Sequence, residues 1–324
     1  MLHKFVILKT KPMLLKRLHT KTLSFLAFIS MLAVLMACKN DSKELAYNSE
    51  NKVEPLKTKE TPSPEFKAYW YGGEAEITSY KLEQARYGEI REGKAVLVYV
   101  TEDFLPEKQV KSDTKNPSTI PVLKLNATKN FLTGIYPYSI MQSTFYPIYN
   151  NAHAVKVSAS VQEWCGHVYT QLNNKEQFEV TSHSYFESEA DEHFSLEKTI
   201  LENELWVQLR VNPQSLPTGT INVIPSFEFT RLRHVPIKAY SAVAVLEGNI
   251  YKIEYPELNR SLTIQFHPNF PYDILEWEES FNSGFGNSAK ILTTKATKLQ
   301  TIKSAYWQKN GNEDEILRET LQLN

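Results

Sequence analysis

The sequence predicts a mainly β protein: a large antiparallel meander, curled into a half-barrel or clam, with two or three short helices. Apolar and polar side chains alternate along residues 154–161 and 262–266, which is typical of half-buried strands. The turn at 247–249 is short, and short turns favour antiparallel pairing because parallel neighbours need crossovers of a dozen residues or more. The chain also has 17 tyrosines, and aromatic side chains suit pleated surfaces.

The same patterns predict the remaining elements. Alternation indicates further strands at 205–211 and 227–230, and Glu92-Gly93 indicates a turn. Three stretches predict short helices. Ser195 is a suitable N-cap before a helix at 199–203, and apolar residues recur every three or four positions within 272–281. Residues 312–323 predict a short amphipathic helix. Two meanders meeting near residues 190–204 would form the two halves of the body, residues 66–324.

The N-terminus predicts export. Residues 1–37 contain six basic residues and no acid, and a predominantly apolar run of 15 residues, Leu23 to Ala37, precedes Cys38. Fifteen helical residues span about 22 Å, less than the ~30 Å hydrocarbon core, so a secretory signal peptide is favoured over a membrane-spanning helix. The tetrad Leu35-Met36-Ala37-Cys38 resembles a bacterial lipobox, which implies that Cys38 is acylated with palmitate-type chains and anchors the mature protein.

Residues 38–65 predict a flexible tether, because they contain few large apolar residues and end in Pro-rich sequence. Lys39 followed by acidic residues also resembles a surface-export signal of Bacteroidota lipoproteins. The predicted location is therefore the outer membrane, lipid-anchored, on its periplasmic face or at the cell surface.

The charge balance excludes some partners. The whole chain has 36 basic and 37 acidic residues; without residues 1–37, 30 basic and 37 acidic residues remain, a net charge of −7. A mildly acidic body has no electrostatic footprint for nucleic acid.

Trp164-Cys165-Gly166-His167 offers a thiol next to an imidazole, the pair that a nucleophilic cysteine requires. Two residues apart on a strand, their Cβ atoms would stand about 7 Å apart. Cys165 also fits the alternative of a small buried hydrophobic residue.

The most polar cluster runs from His183 to His193. In an extended conformation His183, Glu187, Glu189 and His193 share one face, and imidazole with carboxylate can bind zinc or another divalent ion. The spacing matches no established metal motif, and the same pattern fits a solvated edge, with 188–192 as a loop. We predict no cofactor.

Gly284-Phe285-Gly286 lacks the βαβ context of a nucleotide loop and predicts a turn into a strand at 291–297.

Four stretches resemble one known family: residues 66–80, 136–141, 161–166 and 302–307. They are similar to an uncharacterised lipoprotein family of Bacteroidota whose members often carry the label "septum formation inhibitor Maf". Maf proteins are cytoplasmic nucleotide pyrophosphatases of α/β fold with a Ser-x-Ser-x-Arg-Arg signature. This chain has no Arg-Arg pair and a secretion signal in its place, so the resemblance implies taxon and location and transfers no catalytic residue.

The leading functional hypothesis is a non-enzymatic envelope lipoprotein that binds the membrane through its lipid anchor and takes an apolar or glycan ligand or an envelope protein partner. The alternative is a cell-envelope hydrolase that uses Cys165 or the His183–His193 cluster. A Maf-type pyrophosphatase is the least favoured hypothesis.

Overall fold

A computed structural model describes residues 62–149 and 153–324, which all lie in one compact unit. The predicted signal peptide, Cys38 and nearly all of the predicted tether lie outside the described residues. Within those residues, no helix is both long and apolar enough to cross a membrane.

The described residues form four short α-helices and sixteen strands. The helices are α1 (Pro64–Trp70), α2 (Glu202–Val211), α3 (Phe227–Arg233) and α4 (Ile316–Thr320). The strands of the first meander are β1 (Ala75–Arg86), β2 (Glu89–Leu105), β3 (Val110–Lys111), β4 (Ile120–Thr133), β5 (Tyr136–Pro147), β6 (Lys156–Glu163), β7 (Gly166–Asn174), β8 (Phe178–Ser184) and β9 (Glu192–Leu196). The strands of the second meander are β10 (Ile200–Leu201), β11 (Gly219–Ile224), β12 (Tyr240–Glu247), β13 (Ile250–Tyr255), β14 (Arg260–Phe266), β15 (Ile274–Ser283) and β16 (Lys290–Ser304).

All sixteen strands belong to one sheet. Its order runs from β10 through β16, then β1, β2 and β4 to β9, and β3 pairs with β2. Neighbouring strands are antiparallel except for the short β10–β11 pair. The meanders therefore join side by side through β1 and β16, whose register runs from Ala75 opposite Ser304 to Glu83 opposite Lys295.

The sheet curls but does not close, since β9 and β10 are its two edges. Residues 197–199 connect these edges and hold Leu196 and Ile200 within about 14 Å of each other. The predicted curled antiparallel meander is confirmed. We call the space on its concave side the lumen.

Helix α2 fills the lumen and contacts both meanders. The Tyr99 hydroxyl on β2 donates to the Trp206 carbonyl oxygen at 3.1 Å, and the ring of Trp206 packs on Trp277 of β15 at 5.3 Å. Helix α3 lies beside it, with Phe229 against Phe281 of β15 and Glu228 bound to Lys129 of β4. The two helices and both halves of the sheet share one hydrophobic core.

One end of the lumen is closed by α1, whose Phe66 and Trp70 side chains are buried. Thr101 donates to the Trp70 carbonyl oxygen at 2.8 Å, and Phe66 packs against Phe270. On the outer face, Leu321, which directly follows α4, packs against Ala75, Ile77 and Val100.

A buried ion pair fixes the C-terminal half of α2 to β1. Arg210 donates two hydrogen bonds of 2.7 Å to the carboxylate of Glu76, and its Nε donates to the Pro271 carbonyl oxygen at 2.9 Å. The guanidinium lies between the rings of Trp70 and Tyr99, at 5.1 and 4.6 Å.

Two predicted strands are helices, and both errors have the same cause. Residues 205–211 belong to α2 and 227–230 to α3, and both helices are buried on nearly every side inside the lumen. A helix with no solvent-exposed face does not need a 3.6-residue hydrophobic period. The apolar residues of these two segments alternate by chance, and this alternation wrongly predicted strands. Ser226 caps α3 by accepting from the Phe229 amide at 3.2 Å.

Two predicted helices are wrong as well. Residues 272–281 lie largely in β15, which is held by pairing on both sides with β14 and β16. Ser195 lies in β9, and the predicted helix at 199–203 is replaced by β10, which pairs with Val223 and Ile224; α2 begins at Glu202. The C-terminal helix is confirmed as a 3₁₀ turn, Asn312–Glu315, followed by α4.

The turn predicted at Glu92-Gly93 is wrong because β2 runs straight through it. The chain reverses at Tyr87-Gly88, where both residues have positive φ, 55° and 76°. Gly93 instead allows β2 to pack closely against β4, because a Cβ at this position would lie 2.3 Å from the Asn130 carbonyl oxygen. The turn at 247–249, the glycine turn before β16 and the strands at 154–161 and 262–266 are confirmed within a residue or two.

Replacing Arg210 with Met should lower the free energy of unfolding by roughly 3–5 kcal/mol, because Glu76 would be left buried without its partner. Urea titration of both proteins at pH 7 measures the change. Lys252→Met is the matched control, since Lys252 forms an exposed pair with Glu254 and should leave the midpoint unchanged. Equal midpoints for all three proteins would contradict the structural role of this pair.

Candidate functional site

The structure places Cys165 and His167 at an exposed hairpin turn between β6 and β7. The Cys165 amide donates to the Glu163 carboxylate at 2.7 Å, and both Cys165 and His167 are exposed. The Glu163 carboxylate, through a hydrogen bond and its charge, raises the pKa of the Cys165 thiol. A raised pKa reduces the thiolate fraction, whereas a nucleophilic cysteine requires a lowered one.

The cluster from His183 to His193 is a loop with a strand residue at each end. His183 lies on β8 and His193 on β9, and residues 185–191 form the turn between them, so the extended conformation is wrong and the loop alternative holds. His193 Nδ1 lies 2.9 Å from the Thr181 hydroxyl.

The other members of this cluster diverge. His183 Nδ1 lies 3.4 Å from Asp191, Glu187 is exposed to solvent, and Glu189 faces the interior. Across residues 62–149 and 153–324, no three His, Cys, Asp or Glu side chains come together in a way that could hold a metal ion.

The lumen contains a second buried ionic cluster, which sequence reasoning missed. Arg260 on β14 forms a two-pronged pair with Glu202, the first residue of α2, and its Nε donates to Glu279 at 2.6 Å. The Tyr255 hydroxyl donates to Glu202 at 2.7 Å. Burial raises the pKa of the Glu202 carboxyl, but the charge and hydrogen bonds of Arg260 outweigh it and lower the pKa.

Glu228 at the start of α3 completes the charged part of the lumen. It accepts from Lys129 at 2.7 Å and from the Gln142 side chain at 3.1 Å. Burial raises its pKa, Lys129 only partly offsets this, and the nearby carboxylate of Glu279 raises it further. This carboxyl therefore holds its proton to a higher pH than an exposed glutamate does.

The cavity between these groups is small. Its volume is about 50 Å³, and Glu228, Arg260, Trp206 and Trp277 contribute to its walls. A single water occupies about 10–15 Å³ measured in this way, so the cavity accommodates a few waters. This cavity has no room for the apolar ligand expected on the concave face.

A larger cleft opens near the free edge of the first meander, away from the β1–β16 pair that joins the meanders. We call it the seam cleft. One wall is the inner face of β7, β8 and β9, and the other is the end of α3 with residues 235–237. Its volume is about 470 Å³, within the range of small-molecule sites. The lining residues are Val168, Thr170, Ser182, Ser188, Glu189, Glu192, Phe194, Thr230, Arg231, His234, Val235, Pro236 and Ile237.

One side of the seam cleft is ionic. Glu189 accepts from Arg231 at 3.1 Å and from the Ser184 hydroxyl at 2.7 Å, and it lies 2.6 Å from His234 Nδ1. His234 ends α3 with a positive φ of 52°, which turns the chain into the cleft wall. Arg231 stacks over Phe186 at 4.2 Å.

The other side of the seam cleft is apolar, formed by Val168, Phe194 and residues 235–237. Thr170 and Ser182 also line the cleft, and their hydroxyl groups share a hydrogen bond of 2.9 Å. An apolar wall opposite a charged cluster fits an amphiphilic ligand. Of the residues singled out in the sequence, Glu189 alone lines this cleft.

Comparisons with known proteins add no function. No protein-family model matches the chain, and no curated protein is significantly similar. Among solved structures, a β-barrel-like protein of domain of unknown function DUF1849 from Brucella abortus aligns with a TM-score of 0.41 and 7% identity over 71% of this chain and 96% of its own. A porin-like protein from Bacteroides uniformis aligns with a TM-score of 0.20 and 7% identity over 69% and 95%.

We expect stability to fall in acid because of the buried pairs. Arg210 lowers the pKa of Glu76, against the opposing effect of burial, and Arg260 does the same for Glu202. A carboxyl that binds its proton less tightly when folded stabilises the protein above its unfolded pKa, about 4.3, and loses that contribution as pH falls towards its folded pKa.

Urea midpoints between pH 7 and pH 3 measure this dependence. The wild-type midpoint should drop steeply below about pH 4.3, and Glu202→Gln should start lower and show a shallower drop. Glu257→Gln removes an exposed carboxylate and should follow the wild type. A wild-type curve that stays flat to pH 3 would contradict the assignment.

The Cys165 thiol should react slowly at neutral pH. In a Cys38→Ser protein Cys165 is the single cysteine, so its alkylation by iodoacetamide can be followed directly. Glu163→Gln should speed the reaction several-fold at pH 7.5 because it removes the charge that raises the thiol pKa. Glu187→Gln in the neighbouring loop should leave the rate unchanged; equal rates in all three proteins would show that Glu163 does not control the thiol.

Proposed function

We propose that this chain is a cell-envelope lipoprotein whose body binds an amphiphilic ligand of the lipid class in the seam cleft. Acylated Cys38 would anchor it in the outer membrane, on the periplasmic face or at the cell surface. The export signal and lipobox support the location, and the resemblance to the Bacteroidota lipoprotein family supports the taxon.

The seam cleft is the observation that carries the ligand assignment. It combines sufficient volume, an apolar wall and an ionic cluster, whereas the lumen cavity is about 50 Å³ and already neutralised by its own ion pairs. An amphiphile would place its apolar part against Val168, Phe194 and Ile237. Its polar part would face Arg231 and Glu189, charged groups of the ionic side.

A non-catalytic role is favoured by the dispersal of reactive groups. The Ser184 hydroxyl donates to Glu189 rather than to a histidine, so the Ser184–Glu189–His234 contacts do not activate a nucleophile. Cys165 lies in an exposed turn with a raised thiol pKa. An almost entirely antiparallel sheet also differs from the α/β fold that the Maf label implies.

A cleft-filling substitution tests the proposal. Ser188 lines the cleft from an exposed loop, so Ser188→Trp should fill it without disturbing the core. Wild-type protein isolated from its membrane and freed of detergent should release a lipid on organic extraction, about one per chain. Ser188→Trp should release at most a fifth as much, as measured by mass spectrometry.

Glu187→Trp provides the matched control, because Glu187 is an exposed neighbour that does not line the cleft. It should release as much lipid as the wild type. Equal release from Ser188→Trp and Glu187→Trp would place the lipid elsewhere, and a wild type without extractable lipid would overturn the proposed function.

A further inference from the structure

The turns at one end of the sheet expose apolar side chains that the proposed function does not use. Because β1, β4, β6, β8 and β15 all run towards that end, the turns that follow them lie together there. We call these turns, residues 87–88, 134–135, 164–165, 185–191 and 284–289, with the strand ends beside them, the loop rim. Its most exposed apolar side chains, from 57% for Phe285 to 83% for Ile135, are Leu132, Ile135, Trp164, Tyr185, Phe285 and Ile291.

Contacts between neighbouring turns make the loop rim one surface. The ring of Tyr87 lies 6.3 Å from that of Phe285, and its hydroxyl is 2.7 Å from that of Tyr138. Tyr136 lies 6.3 Å from Trp164. Tyr185 covers Gly166, where an added Cβ would lie 2.8 Å from the ring.

The opposite end of the sheet differs in character. Its longest connection, residues 106–119, has five charged side chains, and the turn at 175–177 begins with Lys175-Glu176. The described chain also enters there, through α1. Exposed apolar side chains at five successive hairpin tips of one end indicate an interaction surface, because isolated exposed residues would be scattered.

We propose that the loop rim inserts into a lipid bilayer with zwitterionic headgroups and presents the seam cleft to it. This inference rests on the proposed function, since the Glu189 loop belongs to both the rim and the cleft. Trp and Tyr, with an apolar ring and a polar edge, suit the interface between headgroups and acyl chains, and Ile135, Leu132 and Ile291 would lie deeper.

The charges of the loop rim select the kind of bilayer. Residues 86–92, 132–137, 163–167, 184–192 and 284–291 contain seven acidic and three basic side chains, and Arg231 and Arg233 lie beneath them on α3. A mixed and slightly acidic surface is repelled by an anionic bilayer but complements headgroups that carry both signs. Residues 132–137, which present Ile135, carry no charge at all.

The bilayer is favoured over a protein partner by geometry. Specific protein interfaces bury about 800 Å² per partner around a closely packed core. Here the apolar side chains project from separate hairpin tips with acidic residues between them, which suits a fluid surface. The predicted anchor at Cys38 would also keep the body at high local concentration beside a membrane.

Vesicle flotation tests the proposal with Cys38→Ser protein that lacks the predicted signal peptide and spans residues 38–324. Wild-type rim protein should bind phosphatidylcholine vesicles equally well at 0.1 and 0.5 M NaCl, and more weakly when 30% phosphatidylglycerol is added. Ile135→Ser with Trp164→Ser should lower the partition coefficient at least tenfold. Tyr306→Ser with Trp307→Ser, which removes exposed aromatic rings elsewhere, is the matched control and should bind as wild type. Because every variant begins at residue 38, the apolar and basic leader is absent and differences between variants report the rim.

A spectroscopic readout separates insertion from loss of folding. Brominated phosphatidylcholine should quench tryptophan emission of the wild type, and Trp164→Phe should bind normally with most of that quenching lost. Equal vesicle binding by the rim double variant and the wild type would overturn the proposal. If that variant instead loses a crosslinked envelope protein while still binding vesicles, the rim is a protein interface and the lipid assignment is wrong.

The two proposals fail separately. Ser188→Trp keeps every apolar side chain of the rim and adds one, so it should bind vesicles at least as well as the wild type even though its cleft is filled. Vesicle binding without extractable lipid would contradict the seam-cleft ligand alone, and extractable lipid with no rim-dependent vesicle binding would contradict bilayer insertion alone.

Discussion

Two buried arginine–carboxylate pairs, one at each end of α2, hold the architecture together. Glu202 at the N-terminus of the helix binds Arg260 of the second meander, and Arg210 near its C-terminus binds Glu76 of the first. Each charge lies at the end of the helix where the backbone dipole favours it. Burying such pairs is costly in desolvation, so hydrophobic packing supplies the stability, while the pairs fix where the helix lies. With α2 so placed, the sheet curls around it, most of the lumen is filled and a cleft remains at the seam.

The sheet could be predicted from sequence because its strands have one buried and one solvated face. Val157, Ala159 and Val161 show this directly, and the turn at 247–249 fixes the antiparallel pairing. Helices α2 and α3 could not be predicted, because a helix surrounded by core has no polar face to give a period. Their ion pairs join residues 58 and 134 positions apart, such as Glu202 with Arg260 and Arg210 with Glu76, and no local motif encodes such a pairing.

The candidate site escaped prediction for a related reason. The seam cleft joins residues 168–194 to residues 230–237, and only the curling of the sheet brings these segments together. Sequence reasoning singled out Glu189, but as part of an extended face that proved to be a loop. The loop rim did leave a local signal: Ile135 follows Gly134, Trp164 precedes Gly166, and Phe285 lies between two glycines. Large apolar residues at glycine turns are poorly placed for a core, and this pattern could have located the surface.

The central position of the β1–β16 pair has a consequence for biogenesis. These strands come from opposite ends of the body, more than 200 residues apart, yet they form the joint between the two meanders. Contacts of such long sequence separation form slowly, since a long loop must close first. The joint cannot form until the last strand of the chain has been synthesised. In the exported lipoprotein proposed above, this order would leave the sheet incomplete during passage through a membrane and let it form on the far side.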